Sequence, residues 1–291
     1  MDTPAAEVEI DETLVRELLR QQQPDLADRE LRLVANGWDN AILRLGDDLA
    51  VRLPRREVAA VLVEHEQRWL PDVAGRVSVA VPAPIRIGLP STLFRWHWSV
   101  TPWFEGELAS TADRAALDSI AAALADFVRE LHTSAPSDAP FNPFRGIPLA
   151  VRTEVLESRL ASGLMEHGHE LAALWQRALA APVWTGGPVW LHGDLHAANI
   201  LVRSGRLAAV LDFGDICSGD PATDLATAWL TFDQTGRAAF RDALDYDDAT
   251  WLRAAGWAVL LGSAFVSNSS DNPAMHAIGA RALEQVLLNQ P

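Results

Sequence analysis

Asp194, Asn199 and Asp212 lie close together in the chain with a hairpin between them, and this spacing constrains the fold more than any other feature. Val189-Trp190-Leu191 is an apolar, strand-like run. It feeds the loop His192-Gly193-Asp194-Leu195-His196-Ala197-Ala198-Asn199, so Asp194 emerges at a strand end and Asn199 opens the next strand. Residues 200–202 and 207–211 read as two short strands joined by a Ser204-Gly205 turn. The return strand carries Asp212, in Asp212-Phe213-Gly214, back toward Asn199. A carboxamide oxygen and a carboxylate then converge on one point, and oxygen donors of this kind suit Mg2+. Phosphoryl transfer asks little covalent chemistry of a protein; it needs metal charge across the phosphates, an oriented acceptor hydroxyl and in-line geometry. Asp194 is therefore the candidate catalytic base, with Asn199 and Asp212 the candidate metal ligands.

These residues resemble the catalytic and metal-binding loops of the aminoglycoside phosphotransferase family, which includes macrolide phosphotransferases. Gly219-Asp220-Pro221-Ala222-Thr223-Asp224-Leu225-Ala226 resembles the family's segment after the metal-binding Asp, and Asn36-Gly37-Trp38-Asp39-Asn40 its nucleotide-covering loop. Phe104-Glu105-Gly106-Glu107 resembles the segment past the interlobe hinge. The resemblance implies an α+β, bilobal protein-kinase-like fold with a small antiparallel-sheet N-terminal lobe (residues 1–103, hinge included) and a mainly helical C-terminal lobe (residues 104–291). It also implies an ATP or GTP donor with Mg2+, Gly37 and Trp38 over the nucleotide, and a base held at the hinge near Val100 and Thr101. The acceptor it implies is a hydroxyl-bearing small molecule, foremost an aminoglycoside or macrolide antibiotic, with antibiotic resistance as the expected role. Kinases of sugars, amino alcohols or other metabolites are the alternative within the family.

A protein kinase has a long segment after its metal-binding Asp to receive a peptide, together with an Ala-Pro-Glu signature. Here a handful of residues separate Asp212 from the helical pattern at 221–230, so a small acceptor is expected. The chain also contains no lysine. Where the kinase pattern has its phosphate-binding strand lysine, Ala50-Val51-Arg52-Leu53-Pro54 offers Arg52. A guanidinium can grip phosphate through two bonds, but it is larger and more fixed in shape than an ammonium. Its carboxylate partner is expected from the following helix, where Glu64 and Glu66 are both available and Glu66 better matches the family position before Trp69-Leu70. Against this stands the reading that Arg55, Arg56, Glu64 and Glu66 form a solvated helix face.

The formal charge of −15 argues against binding nucleic acid, whose phosphates require a basic surface, and would suit a polycationic acceptor. No uninterrupted apolar run approaches the roughly 18 residues that cross a bilayer, and the N-terminus opens acidic, so a cytoplasmic protein with no membrane partner is expected. Cys217, the only cysteine, excludes an internal disulfide and a cysteine zinc cluster.

Apolar periodicity predicts helices over residues 10–24, 56–70, 111–132, 151–163, 167–181, 221–230, 235–244, 248–267 and 273–289, and strands over 31–34, 40–45, 49–53 and within 96–103. The proline-rich stretch 135–148 reads as a loop. His132 is expected to pack or cap, His192 to support the catalytic loop, and His196 either to line the acceptor pocket or to position the loop. Asp220 and Asp224 are expected to be caps or anchors for nearby backbone donors, and Asp215 to be solvated, capping or in contact with the acceptor. Two other functions fit parts of the pattern. His192-x-Asp194-x-His196 superficially matches a hydrolase metal cluster but lacks further histidine motifs, and the missing lysine would suit an inactive nucleotide-binding scaffold.

Overall fold

The computed structural model describes residues 4–288. Helix α1 (Glu12–Gln22) is capped by Asp11, whose carboxylate accepts from the Leu14 amide at 2.7 Å, and it buries Val15, Leu18 and Leu19. Strands β1 (Leu31–Asn36), β2 (Asn40–Leu45) and β3 (Leu49–Pro54) form a meander. After α2 (Glu57–Ala74), β4 (Arg86–Gly88) and β5 (Trp98–Pro102) complete an antiparallel five-stranded sheet in the order β1-β2-β3-β5-β4. Helix α2 buries Val63, Glu66, Leu70 and Val73, a three-and-four spacing that places Glu66 on the inward face.

The remainder is mostly helical. Strand β6 (Glu107–Leu108) is followed by α3 (Arg114–Leu131), α4 (Thr153–Ala161), α5 (Gly168–Ala180) and β7 (Val189–Leu191). Strands β8 (Ile200–Arg203) and β9 (Arg206–Val210) form the expected hairpin and join β6, while β10 (Cys217–Gly219) pairs with β7. Helices α6 (Ala222–Leu225), α7 (Thr227–Leu230), α8 (Gln234–Asp242), α9 (Asp248–Asn268) and α10 (Pro273–Leu288) close the chain; Asn289, at the end of the expected last helix, lies outside the described residues.

Two expectations need correction. Asn199 ends a tight 3-10 turn (Ala197–Asn199) rather than opening a strand, because its amide N–H is already committed to His196 O within the loop. The single helix expected at 221–230 is two short ones, with three-residue bonds such as Asp224 N–H to Pro221 O and Trp229 N–H to Ala226 O tightening each turn.

Buried side chains form two clusters. The smaller joins α1 to the five-stranded sheet; the larger runs through the helices and includes Leu70 and Val73 from the end of α2. Helix α9 is long and apolar enough to cross a membrane, yet 78% of that stretch is buried inside the protein, where α5, α6 and α10 cover it. Its apolar character on all sides is that of a central core helix.

Candidate functional site

Asp194 stands on a loop fixed from several directions. Asp224, wholly buried, accepts from the His192 amide at 2.7 Å and the Gly193 amide at 2.9 Å, and His132 Nε2 lies 3.2 Å from the same carboxylate. His132 in turn meets the Tyr246 hydroxyl at 2.8 Å. The anchor therefore serves backbone donors some thirty residues upstream, not the neighbouring ones expected. Gly193 has φ of 86°, and a Cβ there would strike the Asp215 carbonyl, so the loop takes this path only with glycine.

His192 accepts from the Asp194 amide at Nδ1 (3.2 Å), which leaves Nε2–H to donate to Leu211 O at 2.8 Å. Both ring nitrogens are spent on backbone, tying the loop to the end of β9. His196 repeats this logic: Nδ1 accepts from the Ala198 amide and Nε2 meets Asp194 Oδ2 at 3.1 Å. Of its two expected roles, loop positioning is the one with visible partners. These commitments remove the histidines from any hydrolase-type metal cluster, and among the described residues no three His, Cys, Asp or Glu groups converge to hold an ion.

The other Asp194 oxygen belongs to a residue with no local sequence signal. Arg145, from the proline-rich stretch, donates through Nε to Gly193 O at 2.6 Å and through Nη2 to Asp194 Oδ1 at 3.1 Å, with Asp215 Oδ2 3.7 Å away. Gly146 and Gly219 bring it there. Their backbones pack so closely that a Cβ on Gly219 would overlap Gly146, and Gly146 also accepts from the Asp220 amide at 3.0 Å. Burial works against a charged Asp194, but His196, Arg145 and His192 together hold its carboxyl below the usual carboxylate range. Asp215 is pushed the opposite way, chiefly by burial, although Arg145 and an Asn142 bond at 2.7 Å oppose the rise.

Asn199 donates its side-chain amide to Asp194 O at 2.9 Å, which directs the carboxamide oxygen elsewhere. Asn199 O accepts from the Leu211 amide at 2.8 Å, placing Asp212 next to it across the β8–β9 hairpin. Asp212 adopts a left-handed φ of 56° and is 55% exposed. Two hard oxygen donors, one charged, beside open space match an ion that takes its other ligands from phosphate and water, so the residues present fit Mg2+.

On the opposite wall, Arg52 of β3 bonds Glu66 Oε1 at 2.7 Å and Asp212 Oδ1 at 3.1 Å. Burial opposes its charge, and Glu66 and Asp212 more than offset this, raising its proton affinity. Glu64 instead faces His97 at 3.2 Å, while Arg56 pairs with Asp39. The β1–β2 turn contains Gly37, whose amide donates to Asn40 O at 2.9 Å, and Trp38, 40% exposed. At the hinge strand, Val100 O already accepts from the Ile85 amide and Thr101 pairs with Ala50, while the Trp103 amide donates to Asp48 O at 2.8 Å. Part of the hinge backbone is thus engaged within the chain.

The family model of the phosphotransferase enzyme family matches residues 30–258. Aminoglycoside 3'-phosphotransferases from Escherichia coli and Salmonella typhimurium are each 28% identical over 120 residues, 38% of this chain and 43% of theirs, so the chain spans less than half the length of these curated relatives. Among solved structures, the GDP and kanamycin complex of APH(2")-IIia superposes with a TM-score of 0.71 at 20% identity, covering 95% of this chain and 99% of that one. Macrolide 2'-phosphotransferase from Brachybacterium faecium superposes at 0.60 with 23% identity, covering 95% and 98%. The antiparallel sheet and helical remainder are thus a shared fold, and the chain belongs to the phosphotransferase enzyme family.

Proposed function

We propose that the protein is a small-molecule kinase that moves the terminal phosphoryl group of ATP or GTP to a substrate hydroxyl, with aminoglycoside and macrolide antibiotics as the acceptors the relatives suggest. The observation that supports this reading is the linkage of Asp194, Asn199 and Asp212 to the Arg52–Glu66 pair through one set of hydrogen bonds, because these are residue types that can hold phosphate, a metal ion and a hydroxyl. Residues 1–103 would supply the nucleotide lobe and residues 104–291 the acceptor lobe, and a nucleoside triphosphate donor assigns the reaction to the cytoplasm.

Asp194 is the base. Held anionic, it accepts a hydrogen bond from the acceptor hydroxyl and aligns that oxygen with the γ-phosphorus. The new O–P bond forms as the bond to the departing nucleoside diphosphate breaks, and the hydroxyl proton passes to Asp194 as the loose transition state resolves. Asn199 and Asp212 would hold Mg2+, which supplies positive charge across the phosphates. Arg52 would turn a guanidinium edge from Asp212 to the nucleotide phosphates while Glu66 keeps it in place. Gly37 and Trp38 would cover the nucleotide, and the strand carrying Val100 and Thr101 would meet its base. Arg145 and His196 fix the Asp194 rotamer.

The test is Mg2+-dependent transfer of labelled phosphate to a panel of hydroxylated antibiotics and metabolites, with the adduct identified by mass. Asp212→Ala should transfer none. Nucleotide binding without transfer to any acceptor would point to a scaffold, and zinc-dependent hydrolysis to a metal hydrolase.

A further inference from the structure

Arg145, Arg152 and Arg159 recur at even spacing through the stretch that flanks the catalytic loop. The first is charge-matched by Asp194 and Asp215. The other two are not: among the described residues neither forms an ion pair. Arg152 lies over the Phe144 ring, 5.1 Å from its centroid, with a buried Nε that has no partner. Arg159 donates only to neutral oxygens, Leu260 O at 3.1 Å and Ser263 Oγ at 3.5 Å. Burial lowers the proton affinity of both. Their arginine neighbours lower it further, taking Arg159 down to about 10. The chain has 39 acidic side chains against 24 basic ones, and Glu154 and Glu157 lie between Arg152 and Arg159 in the sequence, yet among the described residues no carboxylate pairs with either arginine.

A chain of contacts links this charge to Asp194. Helix α9 supplies both Arg159 partners and, slightly further on, Phe265, whose ring centroid is 5.0 Å from that of His196, the residue bonded to Asp194. Arg152 rests on Phe144, the immediate neighbour of Arg145. Within the same stretch Phe141, Phe144 and Val151 expose 74%, 53% and 66% of their surface, an apolar face next to the cations.

We propose that Arg152 and Arg159 determine acceptor specificity by making this end of the site cation-excluding: it takes a hydroxylated molecule with a large apolar body and at most one ammonium group, and refuses polyamino sugars. This rests on the phosphoryl-transfer reading and narrows it. An acceptor with several ammonium groups would meet unpaired guanidiniums where a site selecting polycations needs carboxylates, and each close like-charge approach costs about tenfold in affinity at low salt. An apolar acceptor covers exposed apolar surface and leaves Arg152 on its ring and Arg159 with its neutral hydrogen bonds. The overall negative charge still draws cations to the surface, but the pocket itself selects against them.

The test measures binding and phosphorylation of erythromycin, a macrolide with one amine, and kanamycin, which has several, using the full chain with Mg2+ and nucleotide at low salt. Erythromycin should be phosphorylated, with kanamycin binding at least about tenfold more weakly. Arg152→Glu and Arg159→Glu together should raise kanamycin affinity about tenfold or more, and the milder Arg152→Gln with Arg159→Gln should move it the same way by less, with folding checked by circular dichroism. Kanamycin handled as well as erythromycin, or kanamycin affinity indifferent to both charge changes in folded protein, overturns the proposal while leaving phosphoryl transfer intact. Phosphate reaching no acceptor although nucleotide binds overturns the functional reading instead, and the kanamycin affinity series still decides whether cations are excluded.

Discussion

The two walls of the proposed cleft treat arginine in opposite ways. On the proposed nucleotide side Arg52 is buried and spans Glu66 and Asp212, so its charge is met within the protein. On the proposed acceptor side Arg152 and Arg159 are left with an aromatic ring and neutral oxygens. The contrast teaches that charge balance is local. A net charge of −15 suggested a polycationic acceptor, yet around Arg152 and Arg159 it leaves two cations without an ion-pair partner among the described residues.

The hardest test of this contrast is at the point where the walls meet. Asp194→Asn should bind nucleotide normally but transfer phosphate about 10²- to 10⁴-fold more slowly, because the amide aligns the hydroxyl without accepting its proton. Single-turnover rates beside nucleotide affinity check this; a near-normal rate would remove Asp194 from its role. On the nucleotide wall, Arg52→Ala should destabilise the fold by about 3–5 kcal/mol, since it strands a buried Glu66, and should weaken nucleotide binding. Denaturant melts and nucleotide titration read both, and unchanged values would show that the pairing is idle.

Arg145→Ala should give the smallest loss at neutral pH but a distinctive profile. Burial alone would raise the Asp194 carboxyl, and Arg145 is one of the groups that keep it low. Removing this cation raises the folded-state value, so the acid limb of kcat/KM moves upward in pH. The sign also applies to stability: Asp194, depressed below its unfolded value of about 3.9, contributes stability above that pH and loses it as pH falls through the folded value. The variant should therefore lose less on acidification. An unmoved acid limb would mean that His196 and His192 suffice.

What could be read in the sequence follows contact range. Asp194, Asn199 and Asp212 were legible as neighbours because one loop and one hairpin join them, and Glu66 because it better matches the family position before Trp69-Leu70. Arg145 was not. It reaches Asp194 across nearly fifty residues, through a backbone contact between Gly146 and Gly219 that no local pattern announces. Asp224 was recognised as structural, but its partners lie on the catalytic loop rather than beside it. The hinge strand was placed, whereas the engagement of Val100 O with Ile85 depends on β4, a strand too short to read.

The left-handed backbone of Asp212 sets two demands against each other. Glycine would occupy that conformation with less strain, and asparagine about as easily, so at this position the substitution that relaxes the chain discards the carboxylate. Selection for durability alone would erode the proposed site from within, and a thermostabilised version of this protein has to find its gains elsewhere.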